Sequence, residues 1–275
     1  MWKKTGDYNV MVKINSRGLR DSKNLSDSRK DDIFVVGDSF SFGWGVEEYK
    51  RYSNILGDLL KKRVFNICIP GDIRDYGRLV LYATENGANI HNLIVGVCME
   101  NDLHYSDASA ESFIASQDKR RNILPIKYWL TAHSALYNFC VTTLHQNDML
   151  RKIAIKMGLM MDNHSGIIKN IFSKPAINST AEELAQIVKH YNSLILIIPS
   201  RGLWIGNNTK VEEKVHHTFI HRLKELGLNV LDMKPILEEG GQPLKYHFKN
   251  DPHWNREGHI KAAKAIAHYW NSARP

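Results

Sequence analysis

Short runs of β-branched and aliphatic residues alternate with segments of helical periodicity along most of this chain of 275 residues. In the first hundred residues, apolar runs at 32–37, 64–67 and 93–97 are separated by segments, 52–62 and 79–87, whose apolar side chains recur at helical spacing. Strands that alternate with helices in this way form a parallel sheet with helices on both faces. The sequence therefore predicts an α/β protein with three α/β/α layers around a mostly parallel sheet.

The same alternation returns near the carboxyl end of the chain. The patterns there predict helices at 181–191, 211–226 and 258–269 and strands at 194–198 and 229–231.

Two regions do not follow this rhythm. Residues 1–32 are polar and basic, and we expect an extended, loop-rich lead-in. Residues 104–178 contain helical segments, at 138–143 and 149–159, but few strand signals. We expect one domain over 1–275, with 104–178 as a helical insertion or cap.

Composition narrows the class of protein further. Hydrophobic residues make up 43% of the chain and charged residues 24%, which suits a sizeable core and excludes a disordered chain. No apolar stretch is long enough to span a bilayer, and no apolar segment follows the basic residues at the start. The cysteines, Cys68, Cys98 and Cys140, are odd in number and far apart, unlike a disulfide framework. We therefore expect a cytoplasmic protein with no membrane span.

The chain carries an excess of positive charge. Lys and Arg number 37 against 29 Asp and Glu, a net charge of +8, and a basic surface attracts anions, nucleic acid included. The basic residues are spread among acidic ones, however, and no nucleic-acid motif accompanies them. We expect no nucleic-acid partner, and the pattern carries no signal for an oligomeric state.

A serine follows the first predicted strand directly, in Gly37-Asp38-Ser39-Phe40. A hydroxyl there projects at the carboxyl end of the sheet, where open α/β sheets bind ligands. The same turn exposes backbone N–H groups that can stabilise an oxyanion. The alternative is that this Asp-Ser pair only caps a helix.

A second polar group lies at the other end of the chain, where Asp251 and His253 precede the last predicted helix. A carboxylate that accepts a hydrogen bond from one imidazole nitrogen leaves the other nitrogen free to take a proton from a serine. The alternative is a surface turn with a solvated histidine.

Two further short motifs follow the second and third strands. Gly71 offers an unobstructed backbone N–H at the same edge of the sheet, and Asn101 offers a side-chain amide. The alternatives are a plain turn after Pro70 and capping of the next segment by Asn101 and Asp102.

These four motifs, in this order, resemble the blocks of the SGNH/GDSL hydrolase superfamily. The segment 15–21 also resembles one found before the first block in bacterial members linked to polysaccharides and lipids. The resemblance implies a flavodoxin-like three-layer fold, ester hydrolysis or acyl transfer, and no metal or other cofactor. It implies that Ser39 is the nucleophile, that His253 is the general base and acid, and that Asp251 orients His253. The implied oxyanion hole consists of the Ser39 N–H, the Gly71 N–H and the Asn101 amide.

Two positions depart from the family pattern. Met99 stands where the third block usually has glycine, which can reshape one wall of the pocket. The last block often has Asp three residues before His, but that position is Asn250 here, and Asp251 stands two residues before His253. We expect Asp251 to be the orienting residue, with Asn250 as the alternative.

Three functions fit these residues. The first is a carbohydrate O-acetyl esterase acting on an acylated saccharide or small molecule. The second is an O-acyltransferase with the same triad, in which 104–178 provides the acceptor site. The third is a non-catalytic glycan-binding relative. We also considered His217 and His221, which have the i, i+4 spacing of a metal-binding pair, but they lack the HExxH context, and we predict a solvated helix face.

Overall fold

A computed structural model describes residues 1–103, 147–157 and 173–272, with isolated positions between 129 and 143. The strands are β1 Trp2–Lys4, β2 Asn9–Met11, β3 Ile33–Gly37, β4 Val64–Asn66, β5 Asn92–Cys98, β6 Asn192–Ile198 and β7 Val230–Asp232. The helices are α1 Ser39–Phe42, α2 Tyr52–Leu60, α3 Ile73–Glu85, α4 Asp148–Lys156, α5 Lys174–Val188, α6 Thr209–Glu225, α7 Met233–Glu238 and α8 Arg256–Ser272.

Strands β3 to β7 form a parallel five-stranded sheet in the order β4-β3-β5-β6-β7. The central strands β3 and β5 are buried along their whole length, as continuous apolar strands in a parallel sheet should be. All five strands lie where the sequence patterns predict them, so the three-layer α/β/α fold class is confirmed.

Alternate side chains along the strands pack into two separate hydrophobic cores, one on each face of the sheet. Phe34, Val36 and Val95 pack on one face in a cluster that includes residues of α3, α5 and α6. Val35 and Ile94 point to the other face and pack in a cluster that includes residues of α2, α7 and α8. The two-residue period of each strand thus produces one helical layer above the sheet and one below it.

The lead-in contains regular structure that the sequence analysis did not predict. Strands β1 and β2 pair antiparallel, with Lys3 opposite Val10. Val10 and Val12 are buried in the core on the α2 and α8 face of the sheet. The amino-terminal segment is therefore a hairpin attached to the domain and not only a loop.

Two helices begin earlier than predicted because polar residues cap them. Helix α3 starts after Asp72, whose side chain accepts from the Arg74 N–H in a capping box. Helix α5 starts after Ser173, which accepts from the Ala176 N–H. The expected insertion boundary at 178 therefore lies inside a helix. The predicted helix at 149–159 corresponds to α4, whereas most of 104–146 lies outside the described residues.

In the described parts of the chain, no helix combines the length and apolar character needed to cross a membrane.

Candidate active site

Ser39 lies at the carboxyl end of β3, as the first residue of the short helix α1. The preceding Asp38 caps this helix by accepting a hydrogen bond from the Phe40 N–H at 2.9 Å. The N–H of Ser39 itself has no acceptor within the helix, because the first N–H groups of any helix lack one. Asp38 therefore caps the helix while the Ser39 N–H stays available to a ligand. A helix cap and a nucleophile turn, the two interpretations of this motif, are compatible.

Close packing between α1 and the sheet requires small residues at the strand ends. Gly37 and Gly96 are register partners on β3 and β5. A Cβ atom on Gly96 would lie 2.1 Å from Ser41 Oγ, and one on Gly37 would lie 2.5 Å from the same oxygen. Ser41 accepts a hydrogen bond from the Tyr52 hydroxyl at 2.8 Å. The helix that carries Ser39 is thus held directly against the sheet.

His253 lies in a loop that precedes α8 and folds back on itself. His247 and Trp254 form an isolated antiparallel bridge, and the Phe248 N–H donates to the His253 carbonyl at 3.0 Å. Trp254 is fully buried and meets Phe40 edge to face at 5.5 Å. The buried tryptophan therefore anchors this loop beside the helix of Ser39.

Ser39, His253 and Asp251 form a continuous hydrogen-bonded chain. The Ser39 hydroxyl donates to His253 Nε2 at 2.7 Å. His253 Nδ1 donates to Asp251 Oδ1 at 2.5 Å, and the same oxygen accepts from the His253 backbone N–H at 3.0 Å. This arrangement places the imidazole proton on Nδ1 and leaves Nε2 as the acceptor that faces the serine.

Asp251, and not Asn250, lies against the imidazole. The Asn250 side chain donates instead to Asp7 Oδ1 at 3.2 Å, and its backbone N–H donates to Asp7 Oδ2 at 2.8 Å. Burial alone would raise the pKa of Asp251, but the hydrogen bond and charge of His253, together with a hydrogen bond from Tyr8, lower it below its usual value. The carboxylate is therefore ionised over the range in which an imidazole acts as a base.

The candidate oxyanion donors converge on the turn after β3. Asn101 Nδ2 lies 3.5 Å from the Gly71 carbonyl oxygen, and the Asn101 amide also hydrogen-bonds to Asp38. A Cβ atom on Gly71 would lie 2.5 Å from the Asp75 carboxylate, so this turn has little room for a side chain. The loops that follow β3, β4 and β5 therefore meet beside Ser39, and the assignment of the donors stays a prediction.

Two buried carboxyl groups, those of Asp38 and Asp102, lie in and next to this turn. Burial raises the pKa of Asp38 to about 6, although the charge of His253 and a hydrogen bond from the Phe40 N–H lower it. Burial and the nearby Asp38 raise the pKa of Asp102 well above its usual value. Asp102 accepts from the Tyr76 hydroxyl at 2.8 Å and from the Cys98 N–H at 2.7 Å. These bonds fix the loop that carries Asn101.

Met99, which stands where the third block usually has glycine, is buried in the core. Met99 is 1% exposed and packs in the core on the α3, α5 and α6 face, so its side chain fills core volume. Whether this bulk reshapes one wall of the pocket, as the sequence analysis expects, stays a prediction. The adjacent Glu100 pairs with Arg201 at 3.0 Å, which ties the loop after β5 to the loop after β6.

Arg20 contributes to the site in a way that the sequence analysis missed. Its guanidinium is buried and donates to the carbonyl oxygens of Gly43 and Val46, each at 2.7 Å, and of Phe42 at 3.3 Å. These carbonyls lie at the end of α1 and in the turn that follows it. Arg20 belongs to the segment 15–21, which the sequence singled out only by its resemblance. The hydrogen bonds of Arg20 hold the end of α1 and the turn that follows, next to Ser39.

Several residues considered in the sequence have ordinary structural surroundings. His217 and His221 are exposed, and each pairs with a glutamate of the same helix, at 2.7 and 3.3 Å. Within the described ranges, no group of His, Cys, Asp and Glu has the arrangement of a metal site. Cys68 and Cys98 are buried free thiols. Cys140 lies outside the described residues.

Comparison with known proteins identifies the fold. A protein-family model described as an SGNH hydrolase-like domain of the acetyltransferase AlgX matches residues 196–274. No curated protein matches the chain in sequence. Among solved structures, a member of the lipolytic G-D-S-L family from Veillonella parvula has a TM-score of 0.50 at 11% identity, covering 87% of this chain and 98% of that one.

Two further solved structures are more distant. A carbohydrate esterase family 2 enzyme with a carbohydrate-binding domain, from Corynascus thermopiles (Myceliophthora fergusii), has a TM-score of 0.48 at 12% identity over 90% of this chain and 67% of that one. A putative G-D-S-L lipolytic protein from Desulfitobacterium hafniense has a TM-score of 0.46 at 13% identity over 86% and 98%. At these identities a likeness concerns the fold alone. The parallel sheet and the likeness to the Veillonella protein show that the chain shares the fold of a G-D-S-L protein, and residues 196–274 are similar to an SGNH hydrolase-like domain.

Proposed function

We propose that the protein is a serine-dependent acyl-ester hydrolase that removes a short acyl group, such as acetyl, from a carbohydrate. The observation that carries this proposal is the hydrogen-bonded chain from the Ser39 hydroxyl through His253 to Asp251. An imidazole with an acceptor nitrogen 2.7 Å from a serine hydroxyl is within the range that proton transfer requires.

The reaction proceeds through an acyl-enzyme. Ser39 Oγ attacks the acyl carbon, and its proton passes to His253 Nε2. The tetrahedral intermediate collapses as the C–O bond to the alcohol breaks and the imidazolium protonates the departing oxygen. Water then attacks the acyl-enzyme and gives a proton to Nε2. The second collapse releases the carboxylic acid and returns the proton to Ser39, while the ionised Asp251 stabilises the imidazolium throughout.

The Asn101 amide is expected to stabilise the negative oxygen of the tetrahedral intermediate, together with the N–H groups of Ser39 and Gly71. We expect Asn101→Ala to lower kcat by about 10²–10³-fold with little change in KM, because this bond strengthens only in the transition state. Steady-state kinetics on an aryl acetate measure the effect. A fall in kcat/KM that comes from a higher KM alone, with kcat unchanged, would contradict the assignment.

Acyl transfer to a sugar hydroxyl is the second candidate function. It is favoured by the match of residues 196–274 to a family model described as an acetyltransferase domain. The same Ser39 acyl-enzyme would form, and a sugar hydroxyl would replace water in the second half of the reaction.

The two functions differ in their products. Incubation with an aryl acetate and an oligosaccharide, followed by mass spectrometry of the sugar, separates them. Hydrolysis gives free acetate in excess of acetylated sugar, whereas transfer gives the reverse. A protein that binds glycans but releases no aryl alcohol from any short-chain ester would instead be the non-catalytic relative.

A further inference from the structure

The turn of the amino-terminal hairpin contacts the loop that carries the acid–imidazole pair. Asp7 and Tyr8 follow one another in this turn, as do Asn250 and Asp251 in the loop. Asp7 accepts from the Asn250 backbone N–H at 2.8 Å, and the Tyr8 hydroxyl lies 3.2 Å from Asp251 Oδ2. Adjacent residues of one segment are thus bonded to adjacent residues of the other, which fixes their register.

The direction of the bond from Tyr8 to Asp251 follows from its partners. Trp44 Nε1 lies 2.9 Å from the Tyr8 hydroxyl oxygen. An indole nitrogen is a donor only, so the Tyr8 oxygen accepts from Trp44, and its single proton is available to the ionised Asp251 carboxylate. Asp251 therefore accepts at both oxygens, from His253 at Oδ1 and from Tyr8 at Oδ2.

The position of the Tyr8 ring is fixed by packing. It contacts the Phe248 ring at a centroid distance of 5.1 Å. Gly45 has a φ of +79°, and a Cβ atom there would lie 2.5 Å from the Phe248 ring and 2.9 Å from the Tyr8 ring. Because any side chain at position 45 would collide with these rings, Gly45 leaves the space that the Tyr8 ring occupies.

Electrostatics keep the Tyr8 hydroxyl in its donor form. Burial and the charge of Asp251 raise its pKa, despite the hydrogen bond from Trp44. The Lys3 ammonium lies over the Trp44 ring, 3.5 Å from its centroid, and Asp251 contributes a favourable Coulomb interaction with it. Burial disfavours the ionised form of Asp251, whereas His253, Tyr8 and Lys3 each favour it.

We propose that Tyr8 is a positioning residue that holds the Asp251 carboxylate in the orientation in which Oδ1 faces His253. The inference rests on the proposed function of the Ser39, His253 and Asp251 chain. Without the bond at Oδ2, only the two hydrogen bonds from His253 to Oδ1 orient the carboxylate, so the fraction of molecules with the productive geometry falls.

The test compares Tyr8→Phe with Tyr49→Phe. Tyr49 is 67% exposed, so its variant controls for the loss of a tyrosine hydroxyl elsewhere. We expect Tyr8→Phe to lower kcat toward an aryl acetate about tenfold, the effect of one hydrogen bond to a charged group, with KM changed less than about twofold. Tyr49→Phe should match the unmodified protein.

A double-mutant cycle shows whether Tyr8 acts through the carboxylate. In an Asp251→Asn background, Tyr8→Phe should lower kcat by less than about twofold, because an effect routed through Asp251 is already lost. A tenfold loss in both backgrounds would mean that Tyr8 acts independently of Asp251, and it would overturn the proposal.

A spectroscopic measurement makes the result independent of turnover. The proton on His253 Nδ1 should give a far-downfield NMR resonance, which Tyr8→Phe shifts or broadens and Tyr49→Phe does not. An active enzyme whose kcat and resonance are both unchanged by Tyr8→Phe would overturn the inference. If the resonance responds but no ester is hydrolysed or transferred, the positioning contact stands and the proposed function fails.

Discussion

Ser39→Ala is expected to lower kcat toward an aryl acetate by about 10⁴–10⁶-fold, the loss seen when a triad nucleophile is removed. No other hydroxyl is bonded to His253 Nε2 among the described contacts, so nothing on those residues replaces the attacking oxygen. Folding should be preserved, since the Ser39 side chain does not cap α1; Asp38 does. Thermal unfolding of the variant provides the check.

Ser41→Ala is the matched control for this experiment, because it removes the same atom from the same helix. Its hydroxyl faces Tyr52 in the core, so we expect a loss of about 1–3 kcal/mol in stability and a kcat within a few-fold of the unmodified protein. A Ser39→Ala protein that keeps its turnover while folded would exclude Ser39 as the nucleophile.

The second large effect is expected for Asp251→Asn. An asparagine amide can still contact the ring, but it cannot stabilise the imidazolium charge, and its NH₂ group favours the wrong tautomer. We expect kcat to fall by about 10³–10⁴-fold with KM largely unchanged. Steady-state kinetics at a pH above the range in which Asp251 titrates provide the measurement.

Asn250→Ala is the informative comparison for Asp251→Asn. The Asn250 side chain donates to Asp7, and Asp251 supplies the contact with His253 Nδ1, so we expect removal of the Asn250 side chain to cost less than tenfold in kcat. An Asn250→Ala variant as impaired as Asp251→Asn would show that the family spacing, and not the observed geometry, identifies the orienting residue.

The sheet and the sites at its edge could be predicted because their signals are local. The run that forms β3 is apolar and β-branched, and Ser39 follows it directly, so topology alone places that serine at the carboxyl edge. Asp251 and His253 precede a helix with a clear amphipathic pattern. That the two segments meet was implied by the resemblance to the SGNH/GDSL superfamily and not by a local signal.

Features that depend on distant contacts had no such signal. Tyr8 and Asp251 are 243 positions apart, and the short strands β1 and β2 are too brief for a strong periodic pattern. The only local hint was the Thr5-Gly6-Asp7 turn between two short runs. Arg20 likewise binds backbone carbonyls, which carry no sequence signature.

Some helix starts were missed for a different reason. Periodicity identifies the apolar face of a helix, whereas the first turn is set by capping, as at Asp72 and Ser173. The burial of Met99 was equally hidden, because it depends on the distant residues with which it forms the core on the α3, α5 and α6 face.

Detection of an acyl-enzyme would show whether Ser39 is the nucleophile. The protein is mixed with an aryl acetate, quenched in acid within milliseconds and analysed by intact mass and peptide mapping. We expect one added acetyl group on the peptide that contains Ser39, absent from Ser39→Ala and accumulating in a variant impaired in the second half of the reaction. An acetyl group on another residue, or ester turnover with no covalent adduct at any quench time, would contradict the account.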